Sequence, residues 1–483
     1  VKVLVANRGE IAVRILTTLR EMGIPSVAVH TAADRDAPHV ERADESAALG
    51  GDGYLDAGAL VAAARAHGAD AIHPGYGFLS QSPAFAEACA KAGVFFIGPS
   101  AAAMRILGDK RGARGAAEAC GVPVIPGAST CDTVDDARRA AAAVGYPILI
   151  KAAGGGGGKG MRRVDAEGEL AAAFAAAGRE ALAAFADGRL LVEKCIAPAR
   201  HVEVQILGDG KDAVALGERE CSLQRRYQKV VEEAPSIGIG DATRQALLAD
   251  AARLARHARY ASAGTVEFLV GPDGAHYFLE VNTRLQVEHP VTEMLTGLDL
   301  VAAQVIVAQG GALPVPPAPR GHAIEARLYA EDPHRGYLPS SGPIVALEWP
   351  QHPGLRIDAG IRAGSEVRPD FDPLLAKLIA FGTDREQARR RLVEGLRDTT
   401  LLGVVTNQAF LIQVLESGDF RAGSTFTTTL ETTRWPEPVV PPEALAAARR
   451  ALAAPAGNDG GQTGPSDRHS PWNGGDGAGR LRP

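Results

Sequence analysis

EVNTRLQVEHPVTEM, residues Glu280 to Met294, packs acid, amide and guanidinium groups into one short segment. At the two-residue period of an extended strand, Glu280, Asn282, Arg284, Gln286 and Glu288 fall on one side. Val281, Thr283, Leu285 and Val287 fall on the other. Solvated strand faces favour Thr, Ser and Lys over this alternation of acid, amide and cation. Carboxylate and amide oxygens beside an Arg and a second carboxylate suit a divalent cation and a charged substrate. A plain solvated strand face is the competing reading.

Just upstream, GTVEFLVGPDGAHYFLE reads as two β-rich runs joined at Gly271-Pro272-Asp273-Gly274, a hairpin. A tight loop there sets Glu267 opposite Phe278, with Glu280 as its diagonal neighbour on the same face. Such neighbours lie roughly 7–8 Å apart at the backbone, so two carboxylates can share a cation. Unpaired, they would repel, which predicts a bound metal, and oxygen donors suit Mg²⁺ or Mn²⁺ rather than zinc. Asn282 extends the oxygen set. A bridge from a nearby Lys or Arg is the alternative way to neutralise the pair.

The 483 residues suggest about three domains. A formal charge of −6 gives no electrostatic case for nucleic acid or an anionic membrane. No apolar run reaches the ~18–20 residues of a spanning helix, and no signal peptide opens the chain. Five scattered cysteines without paired metal spacing read as reduced thiols. A soluble cytoplasmic protein is expected, and Val1 in place of an initiator Met reads as a trimmed start.

The N-terminal part alternates strand and helix, as in Val3–Val5, a helix stacking Ile11, Ile15 and Leu19, and a strand over 24–30. This rhythm predicts a doubly wound parallel sheet over residues 1–97. ANRGEIA has one Gly where a dinucleotide loop needs three, so it reads as a structural turn. HPGYGFLS, at a strand's carboxyl end, offers Tyr76 either to a substrate or to loop packing. A second module, 98–194, centres on YPILIKAAGGGGGKGMRRV. Its spacing departs from a P-loop, because Gly160 stands where Ser or Thr should bind magnesium. A mobile glycine-rich flap over phosphates is expected, with Lys151 as a fixed cation, and a surface loop is the alternative. The third module, 195–444, holds RHVEVQ, with His201, Glu203 and Gln205 on one face. It also holds QRRYQK, either a solvated basic face or part of an anion site. From about residue 445 to 483 the Ala, Gly, Asp, Pro and Ser content predicts a disordered linker.

GDK at Gly108–Lys110, IKAAGGGGGKGM, EKCI, RHVEVQ, ECSLQRRYQKVVEEAP, GTVEF, EVNTRLQVEHPVTEM and GHAIEARLYAEDP occur in the order found in biotin carboxylases of the ATP-grasp superfamily. From Val3 to about Ala444 the chain resembles that family. It is most similar to the α subunits of acyl-CoA carboxylases, particularly the methylcrotonyl type. The resemblance implies an α/β fold (α+β in its C-terminal part), with the parallel sheet followed by an ATP-grasp fold and its mobile lid.

It also implies roles. Lys110, Lys151, Gly157 and Gly158 would hold the ATP phosphates. Glu193, Lys194 and Ile196 would line adenine, while His201 and Gln224 would meet the ribose. Tyr227 stands where relatives carry His, which puts its ATP contact in question. Glu267, Glu280 and Asn282 match metal positions. Lys229, Arg284, Gln286 and the Val287 backbone would bind bicarbonate, with Glu288 as its base. Arg327 and Tyr76 would receive biotin. The implied reaction is MgATP-dependent carboxylation of biotin on a carrier domain, in concert with a carboxyltransferase subunit and in a homodimer or larger hetero-oligomer. No biotinyl-lysine motif of the AMKM type is present, so the carrier is expected on another chain or beyond Pro483. Another ATP-grasp ligase and a non-catalytic carboxylase scaffold are the rival readings.

Overall fold

The structure is a computed structural model, described over residues 1–152, 161–185, 187–226, 228–315 and 318–439. The glycine flap at 153–160, Tyr227 and the expected linker at 445–483 lie outside the described residues.

Five parallel strands, β1 (Val3–Val5), β2 (Ser26–His30), β3 (Glu45–Ala48), β4 (Ala71–His73) and β5 (Phe95–Phe96), run in the order β3-β2-β1-β4-β5. This is the doubly wound arrangement expected from the strand–helix rhythm. The helix Gly9–Glu21 buries Ile11, Ile15 and Leu19 against it. Strand order reverses between β1 and β4, and there the carboxyl ends open a crevice. The Asn7 amide crosses that crevice, donating to the carbonyls of Pro74 at 2.7 Å and Tyr76 at 2.6 Å. The close approach requires Gly75, at φ +63°, where an added Cβ would lie 2.9 Å from Asn7 Nδ2.

A second, antiparallel sheet contains β6 (Gly127–Cys131), β7 (Ile148–Ala152), β8 (Arg162–Val164) and β9 (Leu190–Lys194), in the order β6-β9-β7-β8. Helices Val134–Val144 and Glu167–Phe185 cover it, with Ala137, Ala141, Leu170, Ala177 and Ala181 buried against Ile148, Ile150 and Val192. The small alanines let helix and sheet approach closely.

The third sheet has eight antiparallel strands. β10 (Arg200–Asp209), β11 (Ala213–Arg225), β12 (Gln228–Ala234), β13 (Ala261–Val270), β14 (His276–Asn282) and β15 (His322–Tyr329) are continued by Leu374–Gly382 and Leu355–Ala359. The order is β14-β13-β10-β11-β12-β15, then those two. Val202, Val204, Ile206, Val266 and Phe268 face the helix Asp241–His257 through Leu247, Ala251 and Leu254. The alternate residues Glu203, Gln205, Thr265 and Glu267 face the other way and are also buried. A polar strand face without water must be paired internally, and that face carries the site.

Candidate active site

The hairpin register differs from the sequence expectation. Phe268 pairs with Phe278, Glu267 pairs directly with Glu280, and Leu279 is left over as a β-bulge. The loop also has five residues, closed by Gly271 N donating to the Ala275 carbonyl at 2.8 Å. The extra residue reverses the alternation. Phe278 joins Phe268 and Val281 in the apolar core, while Glu280 keeps the side of Glu267 and comes to lie directly opposite it. The opposed pair brings the carboxylates closer than the diagonal arrangement would. The extended reading of Glu280–Glu288 also holds only to Asn282, where β14 ends. Residues 283–288 then form a loop leading into the helix His289–Thr296, whose Pro290 sits in the first turn.

Lys229, next to the β11–β12 turn, is the hub of the site. Its Nζ lies 2.8 Å from Glu267 Oε1 and 2.6 Å from Glu288 Oε1, and it also donates to Glu203 Oε2. The cationic bridge weighed against a metal is therefore present. Asn282 and Gln286 add amide donors to Glu267 at 2.8 and 3.1 Å. His201 Nε2 sits 3.0 Å from the other Glu267 oxygen, off the hydrogen-bonding axis, while Gln224 meets its Nδ1 at 2.6 Å. Burial would raise the Glu267 carboxyl, but Lys229 and His201 outweigh it and hold it below the ordinary range. Glu280 moves the other way, raised by burial and by Glu267. A carboxyl raised by burial and by an opposed acid is relieved by a proton or by a nearby cation. Glu267, Glu280 and the Asn282 amide offer only hard oxygen donors, which fits Mg²⁺ or Mn²⁺. Two other sets, His201, Glu203 and Glu267, and Glu203, Cys221 and Glu288, bring potential ligand atoms within 4.8 Å of one another among the described residues.

Glu288 is fully buried between two cations. Lys229 takes one oxygen and Arg327 Nη2 takes the other at 2.8 Å. Burial opposes ionisation, yet Lys229, Arg327 and Arg219 together hold its pKa well below the ordinary range. Arg327 divides its guanidinium between Glu288 and Glu232, with Nε 2.6 Å from Glu232. Beneath them lies Arg219, which bonds Glu203 at 2.7 Å, Gln205 at 2.8 Å, Thr292 at 2.8 Å and Thr265 at 3.1 Å. Arg284 is turned along the loop, 2.9 Å from Gln286 Oε1 and 3.3 Å from Asn282 Oδ1. The Val287 carbonyl accepts from Lys377 at 2.8 Å. Lys377, 0% exposed, is also 3.2 Å from Glu10, and Glu10 accepts from the Tyr76 hydroxyl. Glu10, on the helix that covers the first sheet, thus ties that layer to the third sheet through Lys377 and is itself held by Tyr76.

On the second sheet, Lys151 is paired with Glu193 at 2.6 Å rather than free. Lys110 begins the helix Lys110–Ala119, and burial lowers its pKa against the pull of Glu280. Glu193 and Lys194 end β9 and Ile196 follows. The Lys194 ammonium is spent on the carbonyls of Gly145 and Tyr146. Gly157, Gly158 and Tyr227 lie outside the described residues. Five charged groups of this network were absent from the sequence-derived site: Glu10, Glu203, Arg219, Glu232 and Lys377. The signal for the last was a lysine inside an otherwise apolar strand, LLAKLIAFG.

Residues 1–104 match the family described as biotin carboxylase, N-terminal domain, and 325–432 match biotin carboxylase C-terminal domain. Residues 109–315 match carbamoyl-phosphate synthase L chain, ATP binding domain. The chain is 44% identical over 435 residues to a biotin carboxylase of Nostoc sp., covering 88% of this chain and 97% of that one. It is 45% identical over 436 residues to the methylcrotonoyl-CoA carboxylase subunit alpha of Rattus norvegicus, covering 88% of this chain. There it spans only 61% of the relative's length. Among solved structures, the biotin carboxylase domain dimer of Hydrogenobacter thermophilus 2-oxoglutarate carboxylase, in complex with MgADP, ADP and bicarbonate, superposes with a TM-score of 0.86. Identity is 42%, over 89% of this chain and 97% of that one. The chain belongs to the biotin carboxylase family, ATP-dependent ligases of the ATP-grasp fold.

Proposed function

We propose that this chain uses MgATP to activate bicarbonate and carboxylates N1 of biotin presented on a carrier domain. The observation that supports it best is Glu288, a buried carboxylate held ionised between Lys229 and Arg327. Glu288 takes the bicarbonate proton, and Arg284, Gln286 and the Val287 backbone hold the anion in place. The dianion attacks the γ-phosphorus of ATP, breaking its bond to ADP and forming carboxyphosphate, with Lys110 and Lys151 against the phosphates. Glu267, Glu280 and Asn282 would hold a divalent cation, which would neutralise charge on the phosphate oxygens. His201 and Gln224 meet the ribose side, and Glu193, Lys194 and Ile196 border the adenine. Carboxyphosphate then splits into CO₂ and phosphate, and the phosphate accepts the N1 proton of biotin. Arg327, beside Tyr76, stabilises the resulting enolate oxygen as the nitrogen attacks CO₂.

As Lys229 and Arg327 turn from Glu288 to the substrates, its basicity rises toward that of an ordinary carboxylate, so the base is armed by substrate binding. The test is ADP release with bicarbonate and free biotin omitted in turn. Loss of ADP on omitting bicarbonate, and stimulation by biotin, are expected. ADP release indifferent to both sinks the reading.

The carrier domain and a carboxyltransferase subunit are the expected partners, in a homodimer or larger hetero-oligomer, with an acyl-CoA as final acceptor. Among the described residues no single helix is long and apolar enough to cross a membrane. The free cysteines fit a reducing, cytoplasmic setting.

A further inference from the structure

Glu325 lies at the centre of β15, 0% exposed and two residues before Arg327 on the same face. Its register partner on β12 is Glu232, the carboxylate that holds Arg327. On the other side it meets Ile379, two residues from Lys377. Among the described residues, neither oxygen of Glu325 has a hydrogen-bond partner, and neither has Glu232 Oε2. Lys377, the cation acting most strongly on it, is committed to the Val287 carbonyl and Glu10. The charged groups facing Glu325 are Lys377 on its neighbouring strand, Glu232 on β12, Arg327 on its own strand and Glu288 before the helix His289–Thr296. On that helix His289 is neutral, its pKa held well below the ordinary range by burial.

Carboxyls directly opposed on adjacent strands have Cβ atoms roughly 4.5–5.5 Å apart. Two ionised oxygens that near, dry and without donors repel one another, and the conflict disappears if one carries a proton. Glu232 already accepts from Arg327, so it is the better anion. Glu325 has no donor to stabilise a charge, and burial holds its carboxyl well above the ordinary range.

We propose that Glu325 is a positioning residue that stays a neutral carboxylic acid, donating a hydrogen bond to the free oxygen of Glu232 and so fixing the carboxylate that aims Arg327. The inference rests on Arg327 being the group that faces biotin. It gives Glu325 a purpose during turnover. When Arg327 leaves Glu232 for an anionic substrate, the Glu325 donor remains and keeps the Glu232 charge tolerable.

Glu325→Gln keeps a donor of the same shape but cannot ionise, whereas Glu325→Leu removes the donor. At pH 8 the infrared spectrum of the full chain should show the carbonyl band of a protonated carboxylic acid, missing from Glu325→Gln. The biotin KM should stay within about threefold in Glu325→Gln and rise about tenfold in Glu325→Leu, without a matching rise in the KM for MgATP. A band unchanged in Glu325→Gln overturns the proposal, as does a normal biotin KM in Glu325→Leu. If the leucine variant fails to fold, the infrared comparison still decides. A wild-type chain whose ATP cleavage ignores biotin refutes the reading of the site, whatever the proton on Glu325 does.

Discussion

Lys229 and Glu288 form a 2.6 Å ion pair in which the lysine is shared with Glu203 and Glu267, while the acid is shared with Arg327. Glu288, proposed as the base, and Glu203 and Glu267 therefore compete for one ammonium. A change at either end alters the charge seen at the other.

Glu288→Gln removes the proton acceptor and keeps the shape. Biotin-dependent ATP cleavage should fall by about 10²–10⁴-fold, the range of a general base. MgATP binding, measured by calorimetry, should stay within about threefold (about 0.7 kcal/mol). Turnover near the wild-type value would remove Glu288 as the base.

Arg327→Ala strips Glu232 of its buried partner and frees one oxygen of Glu288. Steady-state kinetics should show the biotin-dependent rate falling far more than nucleotide affinity, by about 30-fold or more, as for a buried charge-assisted contact of about 2 kcal/mol. Equal losses in both would contradict its place at the biotin end.

The pH dependence of stability has a defined sign. Burial, reinforced by Glu288 and partly offset by Arg327, pushes the Glu232 carboxyl from 4.5 up to about 7. Between those values the folded chain holds a proton that the unfolded chain releases, so stability falls as pH rises through that window. The contribution is at most roughly 3 kcal/mol. Glu203, Glu280 and Glu325 are raised as well and act in the same direction. Glu267 and Glu288 are depressed, and their stabilisation is lost only at more acidic pH. Thermal melts of Glu232→Gln should therefore show a shallower decline from pH 5 to 7 than wild type. An identical slope would mean that Glu232 is ionised throughout.

Lys377→Met leaves the buried Glu10 without its ammonium, while the half-buried Asp358 keeps Arg356 at 2.8 Å. Breaking a buried pair on one side should cost about 3–5 kcal/mol in urea denaturation. Freed from Nζ, the Val287 carbonyl loses its anchor, so the KM for bicarbonate should rise while that for biotin changes less. A variant as stable as wild type would mean that these acids take protons without penalty.

Much of the site was legible because chemistry and periodicity coincide in it. Glu267, Glu280 and Asn282 stand out as oxygen donors at strand spacing, and Lys229 belongs to an obvious basic run. The β3-β2-β1-β4-β5 sheet followed from short apolar strands separated by amphipathic helices. What escaped reading has a common cause. Arg219, Glu232 and Lys377 sit in strands buried on both faces, where no wet side marks an inward charge as unusual. The register of the hairpin was missed for another reason: a bulge depends on how two strands fit, and Leu279 looks like any other strand residue. Bicarbonate and biotin were assigned by motif resemblance, because a pattern of charges does not name its substrate.

The leftover residue at Leu279 makes this hairpin sensitive to which residue is lost. Deleting it would make the ladder regular: Phe278 and Glu280 would become neighbours on opposite faces, so Glu280 and Asn282 would keep the side of Glu267 and Val281 the apolar layer. Deleting a paired residue such as Val281 would instead turn Asn282 into the apolar layer. Single-residue deletions between Phe278 and Asn282 should therefore divide by whether they remove the spare residue or a paired one. Composition and propensity would separate them poorly. In this stretch of chain, counting matters as much as chemistry.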